Sequence, residues 1–235
     1  EKILSYYSDV NEELLKKAYS IAADAHMNQL RASKEPYITH PLEVAGMLAD
    51  MKLDEISIAA GLLHDVVEDS DYSIQDIHNL FGKEIANLVE GVTKISKISG
   101  FDAEEAKAET LKKMIMAMVD DVRVILIKLA DRYHNVSTLD DLNENKRKQI
   151  ARETLDIYAP IAYRLGMGKI KTDLEDMAFK YAYPEESADI EKHLSNKQEW
   201  ASQKMEELKK EIENVLAQLH IHGEILFRMK RGISI

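Results

Sequence analysis

The chain has 235 residues and 45% apolar side chains, enough to bury the core of one large or two modest domains. Its formal charge of −11 argues against general nucleic-acid binding, which needs lysine and arginine to neutralise phosphates, so DNA is not an expected partner. With no cysteine it has neither disulfides nor thiolate ligands, and any metal site must be built from His, Asp and Glu.

No apolar run approaches the ~20 residues that cross a bilayer, and EKILSYYSDV has neither the basic start nor the apolar middle of a signal peptide. The chain therefore reads as cytoplasmic, with no membrane partner. A phosphorylated ligand would need local positive charge, from a bound metal or from a cluster such as Arg31 with Lys34.

Only 9 glycines and 4 prolines punctuate the chain, and its apolar residues recur at helical spacing, which makes it all-α. Leu14, Leu15, Ala18, Ile21, Ala22 and Ala25 form the first apolar stripe. RASKEPYITH then interrupts the helical pattern as a loop before Pro41 opens a second helix, over 41–51. Further helices are expected over 55–69, 73–80, 83–93, 103–119, 121–135, 143–165 and 169–181. Ser73 and Asp76 suit a capping box.

VRVILIKL (122–129) is β-branched enough for a strand, but a lone strand would have no partner. An apolar helix at the centre of a bundle needs none. Beyond Pro184 a charged, periodic stretch from 186 to 219 reads as a linker or a packed pair of helices. The final ILFRMKRGISI has strand character and suggests a piece of something longer.

The strongest local signal is AAGLLHDVVED, in which His64 lies over Glu68 and Asp65 over Asp69 on one helical face. Burying ionised carboxylates costs several kcal/mol apiece unless they are paired or bound to a cation, and a divalent metal resolves that cost. Glu68, Asp69 and Asp71 also stand where the helix dipole disfavours negative charge. Taken alone, a His-Asp pair is more often a packed histidine at a solvated helix end. Two further residues change that balance: His40, immediately before a helix, and Asp131, at the end of the apolar run VILIKLADR. Both are candidates for distant ligands.

A distant His, a His-Asp doublet and a more distant Asp resemble the ligand pattern of HD-superfamily phosphohydrolases. Within that superfamily the chain resembles the RelA/SpoT homologues. The matching pieces are RASKEPYITHPLEVA (31–45), GLLHDVVEDS (61–70), ILIKLADRYHNVSTL (125–139) and YAPIAYRLGMGKIKTDLEDMAF (158–179), in the family's order and separations.

The resemblance implies an HD-type helical bundle over 1–185 followed by linker helices over 186–235 that lead toward a covalently linked synthetase domain. It implies one metal, manganese in the family, on His40, His64, Asp65 and Asp131; the ligand types alone also admit Fe²⁺, Co²⁺ or Zn²⁺. Glu68 and Asp69 match the acidic pair that works beside the metal, and Arg31, Ser33, Asn135 and Thr138 match positions around a guanine nucleotide.

The implied reaction is hydrolysis of guanosine tetra- or pentaphosphate at the 3′ position by a metal-activated water, giving GDP or GTP and pyrophosphate and ending the stringent response. The alternatives are another HD-type nucleotide phosphohydrolase, or a catalytically silent domain that binds nucleotide and signals to a neighbour. Lys34 stands where the family commonly has glycine, and Ser137 where it commonly has a basic residue. His134 has no metal role in the family pattern, and His26, His78, His193, His220 and His222 read as surface or packing histidines. Trp200 and LKKMIMAMV (111–119) read as helix packing. No P-loop motif occurs.

Overall fold

In the computed structural model the described residues are 2–96, 103–219, 221, 223 and 225. Among them the regular structure is helical, as the apolar spacing implies, with one isolated antiparallel bridge between Leu30 and Pro36. The helices are α1 (Glu12–Ala25), α2 (Thr39–Asp50), α3 (Glu55–Leu63), α4 (Val66–Asp69), α5 (Ile74–Phe81), α6 (Lys83–Ser96), α7 (Ala103–Asp120), α8 (Val122–Ser137), α9 (Glu144–Glu153), α10 (Ala159–Arg164), α11 (Gly168–Ala182) and α12 (Pro184–Gln218). None is long and apolar enough to cross a membrane.

Local chemistry sets the helix starts. Asn11, Asp54 and Asn143 cap α1, α3 and α9 by accepting backbone N–H groups from Leu14, Ser57 and Lys146. Ser73 and Asp76 form the anticipated capping box at the start of α5. The α8 segment is a helix, not a strand. Val124, Ile125, Ile127, Leu129 and Ala130 are buried around it, and it packs on α2, α3, α6, α7 and α11 as the central rod.

Three sequence expectations are corrected. The helix anticipated over 55–69 is broken at His64–Asp65, leaving α3 and the single turn α4. The helix anticipated over 143–165 contains a π turn, Thr154–Tyr158, in which Ala159 N–H reaches back to the Thr154 carbonyl. Pro160 supplies the reason, since it has no N–H to give to the carbonyl four residues earlier. The stretch after Pro184 is one 35-residue helix and not a packed pair, and neither glycine nor proline interrupts 186–218. The strand-like ending falls, from Leu226 on, outside the described residues, as do His220 and His222.

Gly61 matters for the site. A Cβ there would meet the end of the buried Leu48 side chain, which would have to move, so glycine lets α3 lie close to α2 with Leu48 in place. That approach brings the end of α3 to the start of α2, where His40 stands.

Candidate metal centre

His64 and Asp65 occupy the break between α3 and α4. Consecutive residues of an unbroken helix diverge by about 100°, whereas here His64 Nε2 lies 3.2 Å from Asp65 Oδ2. His40, from the first turn of α2, places its Nε2 3.3 Å from His64 Nε2 and 3.5 Å from Asp65 Oδ2. Asp131 on α8 closes the group, with Oδ1 3.3 Å from His40 Nε2 and 3.9 Å from His64 Nε2. The four residues anticipated as ligands thus converge from three elements. Of these, His40, His64 and Asp131 are buried.

The separations among His40, His64 and Asp65, 3.2 to 3.5 Å, are close to those of a shared cation, since ligands about 2.1 Å from one ion stand about 3.0–3.4 Å apart along the edges of an octahedron or tetrahedron, and Asp131 stands at the edge of that group, 3.3 Å from His40 and 3.9 Å from His64. The electrostatics agree. Burial opposes charge on His64, yet Asp65 and Asp131 outweigh it and push its pKa up to about 9. Burial would likewise raise the carboxyl of Asp65, but His64 and His40 beside it hold it well below the ordinary carboxylate range. Asp131 is held low in the same way by Lys128, His40 and His64 against its burial. A site that draws a proton onto a fully buried imidazole is a site for positive charge, which a divalent ion can supply instead.

His64, Asp65 and Asp131 are each braced from behind. His64 Nδ1 lies 2.7 Å from the Gly61 carbonyl, an acceptor only, so Nδ1 carries the hydrogen and Nε2 faces the cluster. Tyr37 donates its hydroxyl to Asp65 Oδ2 at 2.8 Å, and burial with the nearby Asp65 charge keeps that hydroxyl protonated far above neutrality. Lys128 Nζ donates to Asp131 Oδ2 at 2.8 Å, and Asn135 Nδ2 donates to the other oxygen. His26 is a packing histidine as expected: it is buried, its ring centroid lies 4.6 Å from that of Tyr37, and its Nδ1 pairs with Gln29. Gln29 in turn donates to the Asp69 carbonyl. The loop between α1 and α2 is therefore fastened to the acidic turn at both ends.

Glu68 and Asp69 lie on α4, their backbone N–H groups both bonded to the Asp65 carbonyl at 3.0 Å. Glu68 is half-buried and Asp69 exposed. Arg31, Asn135 and Thr138 are also brought together. Arg31 Nη2 donates to Thr138 Oγ1 at 3.1 Å and stands 3.5 Å from Asn135 Oδ1, while Nη1 is 2.8 Å from His134 Nδ1. Ser33 bonds Glu35 within the same loop. Lys34 has φ +70°, a left-handed conformation that favours glycine. Ser137 is exposed and bonds the His134 carbonyl.

A cavity of about 1050 Å³ opens beside the cluster, with Asp131 and Tyr37 in its wall. Its lining carries six cations, Arg31, Lys128, Arg132, Lys146, Lys148 and Arg152, against the three anions Asp131, Asp141 and Glu153. In a chain of net charge −11 this is a local inversion of sign. Arg132 stacks on Tyr158, 4.1 Å from the ring centroid, and pairs with Glu153. Sequence reasoning missed Tyr37, Lys128 and Arg132, and considered His134 only as a metal ligand, a role it set aside. Lys128 carried a signal, a cation inside the apolar run VILIKL, whereas the others became visible only through contacts across the fold. His134, half-buried, has its pKa lowered to about 4 by burial and by the His40 and Arg31 charges.

Comparison with known proteins places this geometry. The chain is 47% identical over 236 residues to a GTP pyrophosphokinase of Myxococcus xanthus, covering 99% of this chain and 31% of that protein. It is 47% identical over 233 residues to the bifunctional (p)ppGpp synthase/hydrolase SpoT of Escherichia coli K12, covering 99% and 33%. It spans about a third of the length of these relatives. A solved structure described as a metazoan ortholog of SpoT that hydrolyzes ppGpp superposes with a TM-score of 0.53 at 26% identity, over 72% of this chain and 93% of that one. The HD domain family model matches residues 18–168, more than half of the chain and the whole of the segment that carries His40, His64, Asp65 and Asp131; the chain belongs to the HD domain family.

Proposed function

We propose that the chain hydrolyses guanosine tetraphosphate and pentaphosphate at the 3′ position, releasing pyrophosphate and leaving GDP or GTP. The observation that carries this reading is the junction of a two-His, two-Asp cluster with a cation-rich cavity, in a chain similar to a (p)ppGpp synthase/hydrolase. His40, His64, Asp65 and Asp131 would hold Mn²⁺, which two imidazoles and two carboxylates suit. When bound, the ion lowers the pKa of water and stabilises charge gathering on the phosphoryl group.

The remaining work falls to the chain's own side chains. Arg31, Ser33, Asn135 and Thr138 hold the nucleoside, and the cations of the cavity hold its phosphates. Glu68, one turn past Asp65, takes the proton of the attacking water, with Asp69 beside it. The water oxygen bonds to the phosphorus on the 3′ oxygen, that P–O bond breaks, and a proton passes to the 3′ oxygen as it leaves. Residues 1–185 form the hydrolase unit, and 186–235 connect it toward a synthetase domain, with α12 as the helical part of that connection.

The test is product analysis. The purified chain with Mn²⁺ should convert guanosine tetraphosphate to GDP and pyrophosphate in equal amounts. Release of orthophosphate, or of triphosphate from dNTPs instead, would assign the site to another nucleotide phosphohydrolase, and no turnover would make it a silent binding domain.

A further inference from the structure

His134 lies one turn beyond Asp131 on α8 and stands behind His40, on the side away from the cluster. Its Nδ1 is 2.8 Å from Arg31 Nη1 and 2.8 Å from His40 Nδ1. A guanidinium has donors only, so the nitrogen facing it carries a lone pair and no hydrogen. The hydrogen between the two imidazoles must therefore sit on His40 Nδ1. With Nδ1 committed to that bond, His40 points its Nε2 at Asp131, Asp65 and His64.

The two histidine ligands are thus braced unequally. His64 leans on the Gly61 backbone carbonyl, which no substitution at that position removes. His40 leans on a side chain, and it shares that side chain's single lone pair with Arg31. Histidines that bind metals commonly give their second N–H to a carboxylate or carbonyl, and a neutral imidazole acceptor can do the same work.

We infer that His134 is a positioning residue, a bare-nitrogen acceptor that fixes His40 with its Nε2 turned to the metal and links this ligand to Arg31. The inference rests on the metal-centre reading above. It adds a physical connection between the loop that carries Arg31 and the ion, running through two hydrogen bonds to one atom.

Nitrogen NMR of the metal-free chain tests the bond itself. His134 Nδ1 should have the shift of an unprotonated nitrogen, and a coupling across the N–H···N bond should join it to His40 Nδ1. A protonated His134 Nδ1 would overturn the inference. Binding then tests the consequence. His134→Phe keeps a ring but has no acceptor, and should weaken Mn²⁺ binding by about 10–100-fold. His134→Asn retains an acceptor near the position of Nδ1 and should recover most of that loss. Wild-type affinity in the Phe variant, or an Asn variant as weak as the Phe variant, would overturn the inference. A Phe variant that fails to fold leaves the NMR measurement on the wild-type chain to decide. A wild-type chain that binds no Mn²⁺ would remove the metal-centre reading, while the nitrogen data still decide the bond. Binding with the expected dependence but no hydrolysis of guanosine tetraphosphate would overturn the proposed reaction and leave the role of His134 standing.

Discussion

The two ends of α8 both gather charge, and they use it in opposite ways. At the N-terminal end Asp121 caps the helix and Arg123 grips Asp121, Asp54 and Glu84 at 2.7, 3.4 and 2.9 Å, tying α8 to the starts of α3 and α6. The network is partly solvated and each of its acids has the same arginine as partner. Toward the other end Asp131 meets two imidazoles and Lys128 in the buried interior, with Asp65 against the same imidazoles, and there the acids draw a proton onto His64. A charge network satisfied within itself holds a fold together; one that still demands a cation when buried is built for a ligand.

Asp65→Ala should break that contrast most severely, abolishing stoichiometric Mn²⁺ binding and pyrophosphate release together. Chelation of the wild-type chain should do the same reversibly, with Mn²⁺ restoring turnover. Metal analysis of the purified variant is decisive, because full Mn²⁺ content with normal turnover would place the centre elsewhere. Glu68→Gln should sharpen the contrast within the active end. It removes a charge and keeps the shape, so turnover should fall by roughly 10²–10⁴-fold while Mn²⁺ affinity holds. Loss of Mn²⁺ would make Glu68 a ligand, and near-normal turnover would leave Asp69 as the leading acid-base candidate.

Arg123→Ala addresses the structural end. It should lower stability by about 1 kcal/mol, or about 2–4 °C in melting temperature, and leave Mn²⁺ affinity and turnover as they were. A melting temperature unchanged by the substitution would mean that the network contributes nothing measurable. The smallest effect is its dependence on pH. Arg123 holds the Asp121 carboxyl below its ordinary value, so this contribution is complete above the unfolded carboxylate pKa of about 3.9 and fades as pH falls through the lowered folded value. The difference in melting temperature between wild type and Arg123→Ala should persist at about pH 5 and shrink only in stronger acid. A difference already lost at that pH would assign the effect to another group.

Much of this was legible in the sequence, for reasons that can be named. The α8 helix could be read because VRVILIKL has no strand partner, and the four clustered residues because their spacing resembles a family whose members bind metal there. The break at His64–Asp65 could not. AAGLLHDVVED keeps a perfect helical period, and both residues at the interruption keep right-handed helical dihedrals, so nothing in the pattern marks the place where His64 and Asp65 come together beside His40. Lys34 was noticed as a departure from glycine, and its φ of +70° explains why glycine suits the position. Tyr37 and Lys128 escaped notice, and His134 was weighed only as a ligand and set aside, because their partners lie elsewhere in the chain, 28 residues away for Tyr37 and 94 for His134, or because, as with Lys128, their role appears only once Asp131 is known to be buried.

The π turn at Thr154–Tyr158 acts as a phase shifter in the rod that runs from α9 to α10. A π turn holds one residue more than the α-helical path, and each residue advances the helix by about 100°. That extra residue lets Arg152 and Glu153 face the cavity on one phase while Ile161 and Ala162 enter the core on another, with Tyr158 turned to stack on Arg132 between them. Deleting one residue here would let the hydrogen-bond ladder close as an α-helix with everything after it facing as before, whereas drawing the present sequence into an unbroken α-helix would rotate everything after the turn by more than a quarter turn. For this sequence a more regular helix would be a worse one.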